Sequence, residues 1–243
     1  MPIITVEDSA QKFGDRVVFE HVSFTIEPGE VFVVLGGSGS GKSTLLKQMI
    51  GLLRPTAGRI TVAGHCVNED VTEVRRSIGV MFQSGALFGS MTLLDNITLP
   101  LAVFTDLPAS ARVEVARMKL ALVGLSDAAQ RLPAELSGGM IKRAAIARAL
   151  ALDPPILFLD EPGAGLDPIT SAELDHLILQ LRDSLGATFV VVTHELASIL
   201  AIGDRCVMLG GEAKGVIAQG PPKTLQAESR EPMVRAFFHR EIL

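Results

Sequence analysis

Residues 31–43 have the sequence VFVVLGGSGSGKS, in which five apolar residues run directly into a glycine-rich segment. A short apolar run rich in valine predicts a strand buried on both faces, as parallel sheets have. The glycines let backbone N–H groups turn inward, and the helix predicted over 44–50 presents its positive end to the same point. The segment therefore predicts a loop that binds a polyphosphate between a strand and a helix.

We expect the residues of this phosphate loop to have different roles in binding a nucleotide. Lys42 is placed to reach the β- and γ-phosphates of a nucleotide, and Ser43 is placed to ligate Mg²⁺. A glycine-rich turn with a chance lysine is the alternative, and the strand and helix on either side argue against it. The predicted nucleotide-binding residues here are Gly36, Gly37, Ser38, Gly39, Ser40, Gly41, Lys42, Ser43 and Thr44.

Two more apolar runs match the first one. Residues 156–159 and 188–193 predict buried strands, and apolar spacing over 170–185 predicts a helix between them. The chain therefore contains a β-α-β unit of a parallel sheet, and the first strand ends at Asp160 while the second ends at His194.

Ligands of open parallel sheets bind beyond the carboxyl ends of the strands, so Gly36, Asp160 and His194 are expected around one site. We expect Asp160 to hold Mg²⁺, directly or through water, and Glu161 to polarise an attacking water. Capping of a helix is the alternative role for two adjacent acids.

The remaining segments predict layers around this core. An antiparallel β-layer is expected in the first thirty residues, a helical insertion over about 84–133 with a helix over 110–123, and a final helical piece. The short strands expected in the β-layer and near the end of the chain are 3–6, 17–19, 22–26, 206–209 and 215–218.

Composition excludes several classes of protein. The net charge of −5 lacks the basic footprint of a nucleic-acid-binding protein, so no nucleic-acid partner is expected. Mean hydropathy is high at +0.38, but no apolar run approaches the ~18 residues of a membrane span, and the first residues show no secretory signal. Cys66 and Cys206 are far apart without metal-type spacing, which favours free thiols.

A second predicted anion site narrows the function. Leu136-Ser137-Gly138-Gly139 precedes a helix expected over 141–151, and it again offers small residues and free N–H groups at a helix start. Two such helix starts indicate a nucleotide that is held from two sides.

Over nearly its whole length the sequence resembles the ATP-binding cassette (ABC) ATPase family. The resemblance rests on six motifs in family order. They are the phosphate loop ending Gly41-Lys42-Ser43, Gln83 after a strand over 79–82, the signature loop Leu136–Gly139, the strand and acids of 156–161, Gly165-Leu166-Asp167, and His194. Met140 departs from the pattern, because many family members have glutamine after the signature glycines.

The resemblance implies further roles and a head-to-tail dimer, in which the phosphate loop of one protomer and Ser137-Gly138-Gly139 of the other enclose each ATP. It implies that Gln83 ligates Mg²⁺ and links the nucleotide to the helical insertion, and that Asp167 communicates across the dimer. It implies that His194 contacts the γ-phosphate and the water. Phe13 matches the position that stacks on adenine, with plain packing as its alternative role.

A narrower resemblance points to the ATPase subunits of Mla/Mce-type bacterial lipid transporters. It is carried by the segments 83–88 and 160–169, by Met140, and by the ending Val234–Phe238. The resemblance implies an integral membrane permease, a homodimer, an MCE-domain substrate-binding protein and a STAS-type accessory subunit. It places the chain at the cytoplasmic face of the bacterial inner membrane, moving phospholipid or a related hydrophobic molecule.

The expected fold is a single α/β ABC ATPase domain over 1–243. Its predicted parts are a nucleotide-binding core with β-layer (1–83 and 152–222), a helical subdomain (84–151) and a C-terminal helical extension (223–243). The open alternatives are an ABC ATPase of another transporter class and a soluble cofactor-assembly ATPase. Glu161 argues against a regulator that binds nucleotide without hydrolysing it.

Overall fold

The computed structural model describes residues 1–241. Its strands are β1 Ile4–Phe13, β2 Arg16–Ile26, β3 Val31–Gly36, β4 Ala57–Val62, β5 His65–Cys66, β6 Ile78–Met81, β7 Ile156–Asp160, β8 Thr188–Val192, β9 Arg205–Gly210 and β10 Gly215–Gly220. Its α-helices are α1 Lys42–Met49, α2 Val71–Arg76, α3 Leu93–Phe104, α4 Ala109–Leu122, α5 Gly138–Ala149, α6 Pro168–Leu185, α7 Leu196–Ile202, α8 Pro222–Glu228 and α9 Pro232–His239.

A six-stranded sheet with the order β10-β9-β3-β8-β7-β6 forms the centre of the molecule. All neighbouring pairs are parallel except β10 with β9. Strands β3 and β8 are buried along their entire length, which is why their sequences are apolar at nearly every position rather than alternating; Thr188, at the start of β8, is the polar exception. The predicted α/β fold with a parallel core is confirmed, and β8 lies between β3 and β7.

The second sheet is antiparallel and has the order β2-β1-β4-β5. It differs from the expected layer in two ways. Residues 17–19 and 22–26, expected as separate strands, belong to one strand, whose register against β1 shifts around His21, a residue with a left-handed φ of 55°. The sheet also includes β4 and β5, which lie outside the first thirty residues, and the strand expected at 3–6 extends to Phe13.

Helices α3 to α5 lie in the chain between β6 and β7, where the sequence predicts a helical insertion. Helix α4 matches the helix expected over 110–123. Helix α5 begins at Gly138 rather than 141, because the Ser137 side chain caps it and the glycines already lie in its first turn.

Helices α8 and α9 close the chain beside the sheet. Val234 and Phe238 of α9 pack with Val33 and Leu35 of β3 and with Ile199 of α7. The last two residues of the predicted C-terminal extension lie outside the described residues. None of the helices in residues 1–241 is both long enough and apolar enough to cross a bilayer.

Candidate nucleotide site

The phosphate loop connects the end of β3 to the start of α1 in a tight turn against both sheets. Gly41, with a φ of 99°, precedes the helix, and a Cβ there would lie 2.7 Å from Phe19 Cδ1. A Cβ on Gly36 would lie 2.4 Å from the carbonyl oxygen of Leu209. The two glycines are therefore required by close packing as well as by backbone conformation.

Lys42 lies over its own loop. Its ammonium donates to the carbonyl oxygens of Gly36 at 2.7 Å and Gly37 at 3.0 Å. Burial lowers the pKa of Lys42, while the charges of Glu161 and Asp160 oppose that shift. The cation is thus held at the loop by neutral acceptors, which phosphate oxygens can replace with stronger, charge-assisted hydrogen bonds.

A cavity of about 310 Å³ opens beside the loop. Phe13 lies on its wall and is 54% exposed, so one face of the ring is free for stacking. Sequence reasoning missed Arg16 and Val18, which lie in β2 with no motif to mark them. The lining residues are Phe13, Arg16, Val18, Gly39, Gly41, Lys42, Ser43 and Thr44.

Ser40 is the one side chain of the loop that turns inward. Its hydroxyl is buried without a hydrogen-bond partner, whereas Gly37 and Ser38 are exposed. A buried polar group of this kind is normally satisfied, so the loop retains hydrogen-bonding capacity that a nucleotide-bound conformation can use.

Asp160 ends β7 in an acidic environment. Burial and the neighbouring charge of Glu161 raise the pKa of Asp160, and Lys47, Lys142 and Lys42 only partly offset them. A divalent cation would relieve this repulsion.

Glu161 and His194 meet at the ends of adjacent strands. The Glu161 N–H donates to Val192 O at 2.8 Å, and Oε1 lies 2.8 Å from His194 Nδ1. A carboxylate only accepts, so His194 Nδ1 carries the shared proton when Glu161 is ionised. Oε2 of Glu161 is buried without a partner. One carboxylate oxygen is therefore oriented by the histidine, and the other is free to accept a proton from a bound water.

Gln83 follows β6 and faces a second cavity, of about 540 Å³, which Asp160 also lines. The Gln83 carbonyl accepts a hydrogen bond of 2.5 Å from Lys142 Nζ in α5. Apart from its place after the signature loop, no feature of the sequence marks Lys142 as a residue of the site. The cavity is lined by Phe82, Gln83, Ser84, Asp160, Ala164 and Gly165.

The signature loop lies against the start of α6. Ser137 Oγ accepts from Met140 N at 3.3 Å, and a Cβ on Gly139 would lie 2.6 Å from Thr170 Cγ2. Asp167 caps α6, and the hydrogen bonds from Thr170 lower the pKa of Asp167. Ser137, exposed at its helix start, lines neither of the two cavities just described.

The donor set suits Mg²⁺ bound together with a nucleotide. Ser43, Gln83 and Asp160 offer only oxygen ligands, which Mg²⁺ prefers. Residues 1–241 contain no group of three or more His, Cys, Asp or Glu side chains that could hold a metal ion by themselves. One carboxylate with two neutral oxygens fits an ion that takes its other ligands from substrate phosphates and water.

Comparison with known proteins identifies relatives along nearly the whole chain. The family model described as ABC transporter matches residues 19–164. The chain is 43% identical over 240 residues to the "Probable ribonucleotide transport ATP-binding protein mkl" of Mycobacterium tuberculosis (strain ATCC 25618 / H37Rv), covering 97% of this chain. It spans 66% of that relative's length, slightly less than two thirds.

Other relatives agree with this chain in length. The chain is 40% identical to the "Intermembrane phospholipid transport system ATP-binding protein MlaF" of Escherichia coli (strain K12), with 97% of this chain and 88% of that protein covered. The structure of cbiO1 from Clostridium perfringens, described as part of the ABC transporter complex cbiONQ, superposes with a TM-score of 0.85 at 31% identity, covering 99% of both chains. The dimeric post-hydrolysis ATP-binding cassette MJ0796 bound to ADP and Pi gives 0.79 at 32% identity, covering 90% of this chain and 98% of that one.

Proposed function

The chain belongs to the ABC transporter family, and from that premise we propose that it hydrolyses Mg-ATP to drive a membrane permease. The observation that carries the proposal is the 2.8 Å contact between Glu161 and His194 beside the phosphate loop. A carboxylate that is largely shielded from solvent, oriented by a neighbour and left with one free oxygen has the features of a general base.

The residues of the site take the following roles in this proposal. Lys42 and the backbone N–H groups of the phosphate loop hold the nucleotide's phosphates, and Phe13 stacks on the adenine. Glu161 accepts a proton from the attacking water, and His194 orients Glu161 and contacts the γ-phosphate. Ser43, Gln83 and Asp160 hold Mg²⁺, which when bound neutralises charge on the phosphate oxygens.

We propose that two copies share their sites head to tail. Among the described residues, Ser137 does not line the cavity beside the phosphate loop, although both segments are helix starts suited to anions. A second copy would bring its Ser137, Gly138 and Gly139 to the nucleotide. Gly138 packs against Leu166, the residue before Asp167, since a Cβ on Gly138 would lie 3.3 Å from Leu166 Cδ2. In the proposed dimer, Asp167 therefore lies near the same interface.

A separate apolar groove is proposed as the contact with the permease. A cavity of about 320 Å³ lies beside the helical segment, and Phe88, Val103 and Phe104 line it while staying more than half exposed. Leu87, one residue before Phe88, is partly buried and packs against the core of the helical segment, so Phe88 is the more exposed of the two. The division into a core (1–83 and 152–222), a helical subdomain (84–151) and a C-terminal extension (223–243) stays a prediction.

We propose phospholipid, or a related hydrophobic molecule, as the cargo. The names of the two relatives differ on this point, because one refers to ribonucleotide transport and the other to phospholipid transport. The second is supported by the narrower resemblance to Mla/Mce-type ATPases, which is carried by the segments 83–88 and 160–169 and by Met140. The proposal includes an MCE-domain protein and a STAS-type subunit as partners, at the cytoplasmic face of the inner membrane.

Hydrolysis is tested with purified wild-type protein, Glu161→Gln and Glu173→Gln. Glu173 lies exposed on α6 and is the matched control. Glu161→Gln is expected to bind ATP normally but to lower kcat by about 10²–10⁴-fold, the usual contribution of positioned proton transfer. Light scattering should show that Mg-ATP traps this variant as a dimer.

Glu173→Gln should retain the wild-type kcat. Hydrolysis by Glu161→Gln at a rate near that of the wild type would remove Glu161 from the reaction. A wild-type protein that binds ATP without hydrolysing it would contradict the proposed activity as a whole.

A further inference from the structure

A buried lysine connects three parts of the site. Lys142 lies in α5, five residues after Ser137, and is only 6% exposed. Its Nζ donates to the carbonyl oxygen of Gln83 at 2.5 Å and to that of Glu161 at 3.3 Å. The signature helix, the loop after β6 and the end of β7 therefore meet at one ammonium group.

The partners of Lys142 are unusual for a buried cation, because its hydrogen bonds go to neutral carbonyl oxygens. Within residues 1–241 it forms no ion pair inside 4.0 Å, although Glu161, Glu195 and Asp160 lie close enough for their charges to act on it. Buried lysines are normally paired with an acid. The Lys142 ammonium therefore binds the backbone carbonyls of Gln83 and Glu161 instead of forming a salt bridge.

The backbone of Glu161 needs such support. Its φ of 47° lies in the left-handed region. This conformation strains the backbone of a non-glycine residue, so it persists only where surrounding contacts hold it. The Glu161 N–H donates to Val192 O, and the Glu161 carbonyl accepts from Ala164 N at 3.2 Å and from Lys142 Nζ at 3.3 Å. Both ends of the residue are thus fixed, and Lys142 is the contact that comes from the signature helix.

A second basic residue of α5 acts only on the loop. Arg148 donates to Ala86 O at 2.5 Å and to Gly85 O at 3.1 Å, so the loop after Gln83 is tied to α5 at two points. Only Lys142 extends the connection to Glu161.

We propose that Lys142 is a positioning residue that aligns Glu161 with Gln83 and the signature helix, so that the carboxylate is aimed correctly only when α5 is seated against the core. This inference rests on the proposed function, since it assigns a role in ATP hydrolysis. A displacement of Glu161 would slow the chemical step while leaving the phosphate loop and ATP binding intact.

Lys119 supplies a matched control. It is also 6% exposed and lies in the same helical segment, but it pairs with Asp153 and touches no residue of the site. Lys142→Met and Lys119→Met each remove one buried ammonium with a side chain of similar length, and Lys142→Arg keeps the charge and the donors.

The experiment measures kcat and KM for ATP, the affinity for a fluorescent ATP analogue, and the melting temperature of all four proteins. Lys142→Met is expected to lower kcat by about 10–100-fold, with KM and analogue affinity changed less than about twofold. Lys142→Arg should recover most of kcat. Lys119→Met should melt earlier yet keep the wild-type kcat.

The proposal is overturned if Lys142→Met and Lys119→Met have equal kcat, if Lys142→Arg fails to recover activity, or if the loss lies in KM. If Lys142→Met and Lys142→Arg are both unfolded where Lys119→Met is folded, Lys142 is a stability residue and the proposal is rejected. A wild-type protein without ATPase activity contradicts the proposed function instead, because all four proteins would then be equally inactive.

Discussion

His194 Nδ1 lies 2.8 Å from Glu161 Oε1, although 33 residues separate the two in the chain. Their strands explain the contact. Strands β7 and β8 are parallel neighbours, with Asp160 paired to Val192, so both residues follow the paired ends at the same edge of the sheet. The Glu161 side chain is 13% exposed and that of His194 is 64% exposed, so the histidine is the solvent-facing partner of a buried acid.

Replacing His194 should weaken catalysis more than binding. His194→Ala leaves the carboxylate without its side-chain partner, and we expect kcat to fall by about 100-fold while ATP affinity changes little. His176→Ala, on the exposed face of α6, should behave as wild type in the same steady-state assay. A full kcat in His194→Ala would show that the contact does not orient the base.

Phe88→Asp should prevent assembly with the permease without unfolding the isolated protein. Phe88 is 52% exposed in the apolar groove, so the charge costs little in the isolated protein, within about 0.5 kcal/mol of unfolding free energy. A buried aspartate would be strongly unfavourable once a permease helix filled the groove. We expect a folded, ATP-binding protein that no longer co-purifies with its co-expressed permease.

Met118→Asp is the control for this experiment. Met118 is 59% exposed on α4 and does not line the groove, so the same change there should leave co-purification intact. If Phe88→Asp also assembles normally, the permease binds elsewhere. If neither variant assembles, added charge alone disrupts the complex.

Asp175 should make stability depend on pH. Burial raises the pKa of Asp175 to about 6 from an ordinary 3.8; a hydrogen bond from Ser198 opposes the shift and the charge of Glu195 adds to it. The folded protein therefore binds more protons than the unfolded chain between these values. The contribution of Asp175 to the free energy of unfolding should be fully present below the lower pKa and be lost as pH rises through about 6.

Asp175→Asn removes this dependence, because the amide stays neutral. At pH 7 to 8 the variant should be more stable than wild type by about 1–3 kcal/mol, with little difference near pH 4. Urea unfolding across this range measures it, with Asp183→Asn, exposed on the same helix, as control. A constant difference at every pH would show that Asp175 is ionised throughout.

The parallel core could be predicted because its strands are buried on both faces and its helix is amphipathic. Residues 31–35 and 156–159 are continuously apolar, and residues 188–193 are apolar between two threonines; the three runs are followed by Gly36, Asp160 and His194. Because the carboxyl ends of parallel strands lie at the same edge of a sheet, Gly36, Asp160 and His194 could be predicted to lie together. The other residues predicted to bind the nucleotide were identified from the motifs of the loops.

Other features depend on tertiary contacts that leave little local trace. Strand β4 pairs with residues 4–10 of β1, and β5 pairs in turn with β4; the alternation of Ile60 and Val62 was the single local signal for these strands. Lys142 looks like any helical lysine until α5 is packed against Gln83 and Glu161. Leu87 and Phe88 are adjacent and equally apolar, yet one packs inward and the other outward.

The shared site is tested most directly by mixing Lys42→Ala with Ser137→Arg, each nearly inactive alone. A mixed dimer contains one damaged site and one site built from the intact phosphate loop of one chain and the intact signature loop of the other. An equimolar mixture should therefore regain about a quarter of the wild-type ATPase rate, since about half the dimers are mixed and each has one working site. A mixture no more active than its parts, or wild-type hydrolysis per chain that stays constant down to a demonstrated monomer, would contradict the account.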